Sequence, residues 1–196
     1  MKAKRSYTMT ARARSAEETR RRILESAAQL ATERRIGEIS LDLVANAAAV
    51  SVQTVLRQFG SRAGLLEATA AHVEDAIVDE RTAPIGDVAA AVHVLVDHYE
   101  ARGDMALLLL AQELDDRQVR AITDRGKRLH RAWVDEVFAP HVGDDERLVD
   151  LLVVVTDVYA WKLLRRDRGL SRARTEEGMT TLVRAVLETA ERGNTR

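Results

Sequence analysis

The residues best able to do chemistry in the first third of the chain lie on one short predicted helix. The helix follows Ser51 in the sequence, and its exposed positions are Val52, Gln53, Thr54, Arg57 and Gln58. Glutamine can bond to adenine through two hydrogen bonds, arginine can do so to guanine, and a valine or threonine methyl can touch the methyl of thymine. The face can therefore read DNA sequence. The same side chains are common on solvated helices, so residue types alone leave an ordinary surface helix open.

Two short helices are predicted to position this face. Ser40 and Ser51 are candidate N-caps, and Val44 and Val55 fall on the apolar stripes of the helices that follow them. About three residues join the helices, and the alanine-rich run 45–49 permits a close crossing. In such a helix-turn-helix the second helix enters the major groove and the first crosses the DNA backbone.

The segment before these helices is basic. Ser15 and Glu18 have the spacing of a capping box, so we expect helix 1 to begin at residue 15 and a flexible arm to occupy residues 1–14. The basic residues of the arm are Lys2, Lys4, Arg5, Arg12 and Arg14. A flexible basic arm can add phosphate or minor-groove contacts, and an inert tail remains the alternative.

Charge is distributed unevenly along the 196 residues. Residues 1–66 carry 12 Lys and Arg against 6 Asp and Glu, a net charge of +6, and the remaining residues carry 18 against 25, a net charge of −7. Basic charge is thus concentrated where a nucleic-acid partner would bind. A solvated tail beside an acidic body would give the same asymmetry.

Helical periodicity continues to the end of the chain and predicts an all-α fold. We expect helix 4 over about residues 62–80 and later helices over about 86–102, 104–114, 117–138, 145–167 and 172–192. The predicted domains are a helix-turn-helix domain over 15–66 and, joined to it by helix 4, a larger helical domain over 67–196.

The N-terminal segment resembles the DNA-binding domain of the TetR family over about residues 17–66. The matching stretches are 19–27, 40–45, 48–51 and 59–66, in the order of the family pattern. The resemblance implies a transcriptional regulator in which Ser40 and Ser51 cap helices 2 and 3 and touch phosphate. It also implies a phosphate contact from Arg62 at the start of helix 4.

Three positions depart from the family pattern. Ala49 replaces the turn glycine, Leu56 the usual tyrosine of helix 3, and Gln58 the aromatic residue or histidine before Phe59. Without the tyrosine, DNA affinity rests more on Arg57, Arg62 and the arm. Ala49 is strained only if the turn demands a positive φ.

For the C-terminal two-thirds, the resemblance implies a ligand-binding and dimerising domain. The last two helices carry apolar stripes, and the resemblance implies that these helices pair with their copies in a homodimer, although such stripes also line the core of a monomer. They comprise Leu148, Leu151, Leu152, Val155, Tyr159 and Leu163, then Leu182, Val183, Val186 and Leu187. Candidate pocket residues are Tyr99, Met105, Leu108, Gln112, His130, Trp133, Val137, Asp157, Tyr159 and Trp161, with His93 and His98 as further polar groups.

The sequence lacks the residues that other classes of function require. The chain has no cysteine and no cluster with metal-site spacing, paired nucleophile and base, or phosphate-binding glycine loop, so we expect no metal, cofactor or enzyme activity. It has no apolar run long enough to span a membrane, so a cytoplasmic protein is expected. Three hypotheses remain: a repressor released from palindromic operator DNA by an unknown small-molecule effector, a DNA-binding protein without an effector, and a helical scaffold or enzyme.

Overall fold

The computed structural model describes the backbone of residues 3–193 and the side chains of residues 13–189. Lys2 of the predicted basic arm lies outside the described residues, as do the side chains of Lys4, Arg5 and Arg12. The helices are α1 (Ala3–Glu33), α2 (Leu41–Ala47), α3 (Val52–Phe59), α4 (Arg62–Glu80), α5 (Val88–Leu110), α6 (Arg117–Val137), α7 (Ala139–Val142), α8 (Glu146–Val155), α9 (Val158–Lys162) and α10 (Arg172–Gly193). A 3₁₀ turn, Ile36–Glu38, precedes α2, and a π turn, Leu163–Asp167, follows α9. No strand occurs in residues 3–193, which confirms the all-α prediction.

The chain divides into two compact units between Glu74 and Asp75. Unit 1 contains α1 to α3 and most of α4, and unit 2 contains the end of α4 and all later helices. The division inferred from the sequence, after residue 66, also falls inside α4.

Unit 1 has a small aliphatic core. Each of its helices contributes at least one fully buried side chain, because apolar residues recur at helical spacing on one face of each helix. The most buried are Ile23, Ala27, Ile39, Val44, Ala48, Val55 and Leu65. This core fixes α2 and α3 against α1 and so orients the exposed face of α3.

The predicted start of helix 1 is wrong. The helix begins at Ala3, and Ser15 lies within it, with its carbonyl accepting a hydrogen bond from Thr19 Oγ1 at 2.8 Å. Residues 3–14 contain no glycine or proline and include alanine, lysine, arginine and methionine, which favour helix. Nothing in the sequence therefore stops the helix upstream of the apparent capping box.

Unit 2 is built around α5, which packs against α6, α9 and α10. The predicted break at Gly103 is wrong, because α5 continues from Val88 to Leu110. A Cβ at Gly103 would lie 2.6 Å from a ring carbon of Trp161, so the glycine permits a close helix–side-chain contact rather than ending the helix.

The helix predicted over 145–167 is also divided. α8 ends at Val155, and Asp157 caps α9 by accepting a hydrogen bond from Tyr159 N at 2.8 Å. Thr156 is held between them by its Oγ1, which donates to Leu152 O at 2.6 Å. An aspartate cap one residue after the end of α8 thus starts a new helix. In residues 3–193 we find no helix with the length and apolar character needed to cross a membrane.

Candidate nucleic-acid interface and buried polar cluster

The helix-turn-helix is fixed by serine caps, as predicted. Ser40 Oγ accepts from Leu43 N and Ser51 Oγ accepts from Thr54 N, each at 3.2 Å. Both serines are exposed. The caps satisfy backbone N–H groups that have no partner within the helix, which sets where α2 and α3 begin.

α3 presents one apolar side to unit 1 and one polar side to solvent. Val55 is fully buried, whereas Gln53 and Arg57 are exposed. Val52, Thr54 and Gln58 are partly buried, and the structure therefore leaves every predicted base-reading side chain at least partly accessible. Their contacts with DNA remain predictions.

The turn between α2 and α3 has the geometry in which the family pattern places glycine. Ala49 has a φ of 51°, the only positive φ of a non-glycine residue in the described chain. Val50 N donates to Ala45 O at 2.9 Å and Ala49 N to Asn46 O at 3.1 Å. These two bonds form the Schellman motif, which requires a left-handed residue after the helix end. The turn is therefore made with a strained alanine.

Two arginines of unit 1, Arg22 and Arg62, donate hydrogen bonds to backbone carbonyls next to α2. Arg62 Nε donates to Ile39 O at 2.7 Å, and its NH2 group donates to Ile36 O. Arg22 Nε donates to Ala48 O at 2.9 Å, next to the strained turn. Arg62 is thus bonded to the carbonyls before α2, and its phosphate contact stays a prediction. Sequence reasoning did not identify Arg22, since a surface arginine in α1 carries no signal of a partner 26 residues away.

The N-terminal unit also matches a known family. Residues 23–69 match the model of the bacterial regulatory proteins of the tetR family, a range that contains both caps, the strained turn and α3. The match places residues 23–69 in the tetR family. The helix-turn-helix of unit 1 is therefore that of a tetR-family DNA-binding domain.

Solved structures show the same fold. A transcriptional regulator from Rhodococcus sp. Rha1 has a TM-score of 0.68 at 17% identity, over 87% of this chain and 96% of that one. A tetR-family regulator from Streptomyces coelicolor has a TM-score of 0.62 at 22% identity, over 88% of this chain and 89% of that one. A TetR regulator from Rhodococcus sp. RHA1 has a TM-score of 0.57 at 18% identity, over 88% and 98% of the two chains. A comparison with curated proteins found no match.

In unit 2, four of the predicted pocket residues form two ring pairs, and hydrogen bonds of Tyr99 and His130 to Thr156 join the pairs into one group. Tyr99 and Trp161 have ring centroids 5.9 Å apart, and His130 and Trp133 stack at 6.1 Å. Tyr99 Oη donates to Thr156 O at 2.9 Å.

The other predicted pocket residues have varied positions. Val137 is in the hydrophobic core, Met105 and Leu108 are partly buried on α5, and Gln112 Nε2 donates to Leu108 O at 2.6 Å. Asp157 is the cap of α9, and Tyr159 is half exposed. A ligand role for any of the ten residues remains a prediction.

Arg81, which sequence reasoning did not identify, completes the polar part of this group. The side chain is 5% exposed, and its NH2 group lies 2.7 Å from His130 Nδ1. Its guanidinium carbon lies 4.4 Å from the centroid of the Trp133 ring, and Trp133 Nε1 donates to Arg81 O at 2.8 Å. Arg81 directly follows α4, in a stretch that the sequence predicts only as a connection. No pattern in the sequence indicates that it is buried.

Burial and the Arg81 charge keep the nearby histidines neutral. Burial, the largest cause, and the Arg81 charge together lower the pKa of His98 to about 4 and that of His130 to about 3. Burial also raises the pKa of the Tyr99 hydroxyl. Next to His98, whose Nδ1 lies 3.2 Å from Glu80 Oε2, the Glu80 carboxylate is paired with Arg102, so near pH 7 Arg81 is the unpaired charge of the group.

Proposed function

We propose that the chain is a TetR-family transcriptional repressor that binds a palindromic operator as a homodimer and is released from it by a small-molecule effector. DNA reading is supported by α3, whose N-terminus is capped by Ser51, whose Val55 is buried, and whose opposite face is polar and exposed. Base edges are read by the N-terminal residues of such a helix, and phosphate contacts fix its register.

The homodimer is supported by apolar side chains that unit 2 leaves exposed. In the predicted stripes, Leu148, Leu152 and Val183 are buried in the core. Other apolar residues, on α8, α9, the π turn and α10, are exposed instead. The exposed fractions are 38% for Leu151, 65% for Val154, 50% for Tyr159, 57% for Leu163 and 41% for Leu182. We infer that these side chains form one exposed apolar patch, which is typical of an interface, and a two-fold interface would pair the patch with its copy.

Sedimentation equilibrium tests the homodimer. Val154→Glu places a charge on the exposed patch without touching a buried residue, so we expect a monomer where the unaltered protein is a dimer. Leu114→Glu is the matched control, because Leu114 is 82% exposed but lies between α5 and α6. A monomeric unaltered protein, or a dimer that survives Val154→Glu intact, would contradict the proposed interface.

DNA binding should depend on this interface. A dimer that contacts two half-sites binds DNA far more tightly than a monomer that contacts one, because the second contact forms within a complex that already exists. We expect Val154→Glu to lose specific DNA binding at concentrations where Leu114→Glu retains it. Equal binding by both variants would show that one copy of the chain suffices.

Repression is tested separately in a reporter strain. A DNA site that the purified protein selects from genomic fragments is placed upstream of a reporter gene, and expression is compared with and without the protein. We expect expression to fall in the presence of the protein and to recover when the effector is added. A rise on production of the protein would instead indicate an activator.

A further inference from the structure

Arg81 is a buried cation without an acidic partner. Only 5% of the Arg81 surface is exposed, and its Nε has no hydrogen-bond partner among the described residues. Its contacts are the ring nitrogen of His130 and the face of Trp133. A buried charge ordinarily has a partner of opposite sign, because an unpaired one has lost its hydration without compensation.

The hydrogen bonds of His130 show that this histidine does not balance or share the charge. Thr156 Oγ1 donates to Leu152 O, so it accepts from His130 Nε2 at 3.1 Å. With its proton on Nε2, His130 accepts from Arg81 through Nδ1. The network therefore assigns a neutral imidazole, and the guanidinium keeps its full charge.

Arg166 provides a direct comparison within the same unit. Its guanidinium carbon lies 4.6 Å from the Trp161 ring centroid, nearly the same arrangement as Arg81 over Trp133. Arg166, however, is exposed and bonds to both carboxylate oxygens of Asp104, at 3.0 and 2.9 Å. The exposed arginine thus has a carboxylate and the buried one has none, which is the reverse of what stability alone favours.

We propose that Arg81 anchors a binding site for a small organic acid, whose carboxylate bonds to the guanidinium and whose apolar body lies beside Trp133. The guanidinium suits a carboxylate because its N–H groups match the spacing of the two oxygens. His98 and His130 are neutral and the Glu80 carboxylate beside His98 is paired with Arg102, so Arg81 gives the site a net charge of one, which matches one carboxylate. The proposal names the chemical class of the effector, so its regulatory meaning rests on the proposed function.

The position of Arg81 also connects such a site to α4. Arg81 N donates to Ile77 O at 3.1 Å, which continues the hydrogen bonding of a helix that begins at Arg62 in unit 1. A carboxylate that holds or moves Arg81 would therefore act on the end of the helix that continues into the DNA-binding unit.

Calorimetric titration of the full-length protein tests the site with two pairs of probes. The acids are phenylacetate and octanoate, and each is compared with its neutral amide, phenylacetamide or octanamide. We expect at least one acid to bind at least tenfold more tightly than its amide, since a charge-assisted hydrogen bond to a buried group contributes that much or more. Arg81→Met should abolish this preference, and the matched variant Arg166→Met should retain it.

The proposal is overturned if neither acid is preferred over its amide, or if Arg81→Met keeps the preference. The comparison of acid with amide in the unaltered protein needs no variant, so the test stands even if Arg81→Met fails to fold. Release of DNA is measured in a second titration, by fluorescence anisotropy of a bound operator. An acid that binds through Arg81 but leaves the DNA complex intact would confirm the site and contradict effector release.

Discussion

Replacing Ala49 by glycine should stabilise the protein. Ala49 has a φ of 51°, and a left-handed backbone costs a residue with a Cβ about 1–2 kcal/mol. Glycine removes that strain but gives the unfolded chain more freedom, which offsets roughly 0.5–1 kcal/mol. We therefore expect Ala49→Gly to raise the free energy of unfolding by about 0.5–1 kcal/mol, although it adds no contact.

Urea denaturation followed by far-UV circular dichroism measures this change. Both tryptophans lie in unit 2, so their fluorescence shows in parallel whether that unit unfolds together with unit 1. Gly60→Ala is the matched control: Gly60 has a φ of 75° and its Cβ would meet no atom within 4 Å, so the variant should lose about 1 kcal/mol from backbone strain alone. A neutral or destabilising Ala49→Gly, with Gly60→Ala destabilising as expected, would refute the positive φ at Ala49.

Three further predictions concern base reading, packing and pH. Arg57→Ala should relax base preference and cost about 1–3 kcal/mol in operator binding, measured by anisotropy on matched and mismatched sites; an equal loss on all sequences would make it a phosphate contact. Gly103→Ala should lower the free energy of unfolding by about 1–2 kcal/mol, because the added Cβ would lie 2.6 Å from the indole ring of Trp161. In the same urea denaturation, Gly126→Ala should raise the free energy of unfolding by about 1 kcal/mol, because its Cβ would meet no atom within 4 Å. His98 and His130 have lowered pKa values in the folded protein, so below about pH 6.5 the unfolded chain binds more protons and the free energy of unfolding falls as the pH drops. Urea denaturation should show a loss of about 2 kcal/mol per histidine by pH 5, and a shallower pH dependence in the double variant His98→Gln, His130→Gln.

The parts of the fold that depend on neighbouring residues could be predicted from the sequence. Ser40 and Ser51 each act on a backbone N–H three residues away, so their types and spacing indicate where α2 and α3 begin. The possible strain at Ala49 was likewise visible from its place in the family pattern. These features need no knowledge of tertiary contacts.

The remaining features depend on residues far apart in the chain. Gly103 looks like a helix break until Trp161 is placed against it, 58 positions later. Arg81 looks like part of a surface connection until α6 covers it with His130 and Trp133. Aspartate caps are local, but Asp157 lies within a continuous apolar stripe, so the helical pattern concealed the start of α9. Long-range packing therefore decided what the local pattern could not.

The most direct test of the central claim is selection of genomic DNA fragments by the purified protein at two salt concentrations, followed by sequencing of what is retained. Our account predicts enrichment of one palindromic site, with half-sites about one helical turn, roughly 34–36 Å, apart, and retention that weakens steeply as salt rises. Retention of no DNA, or of all fragments equally, would contradict a dimeric sequence-specific regulator.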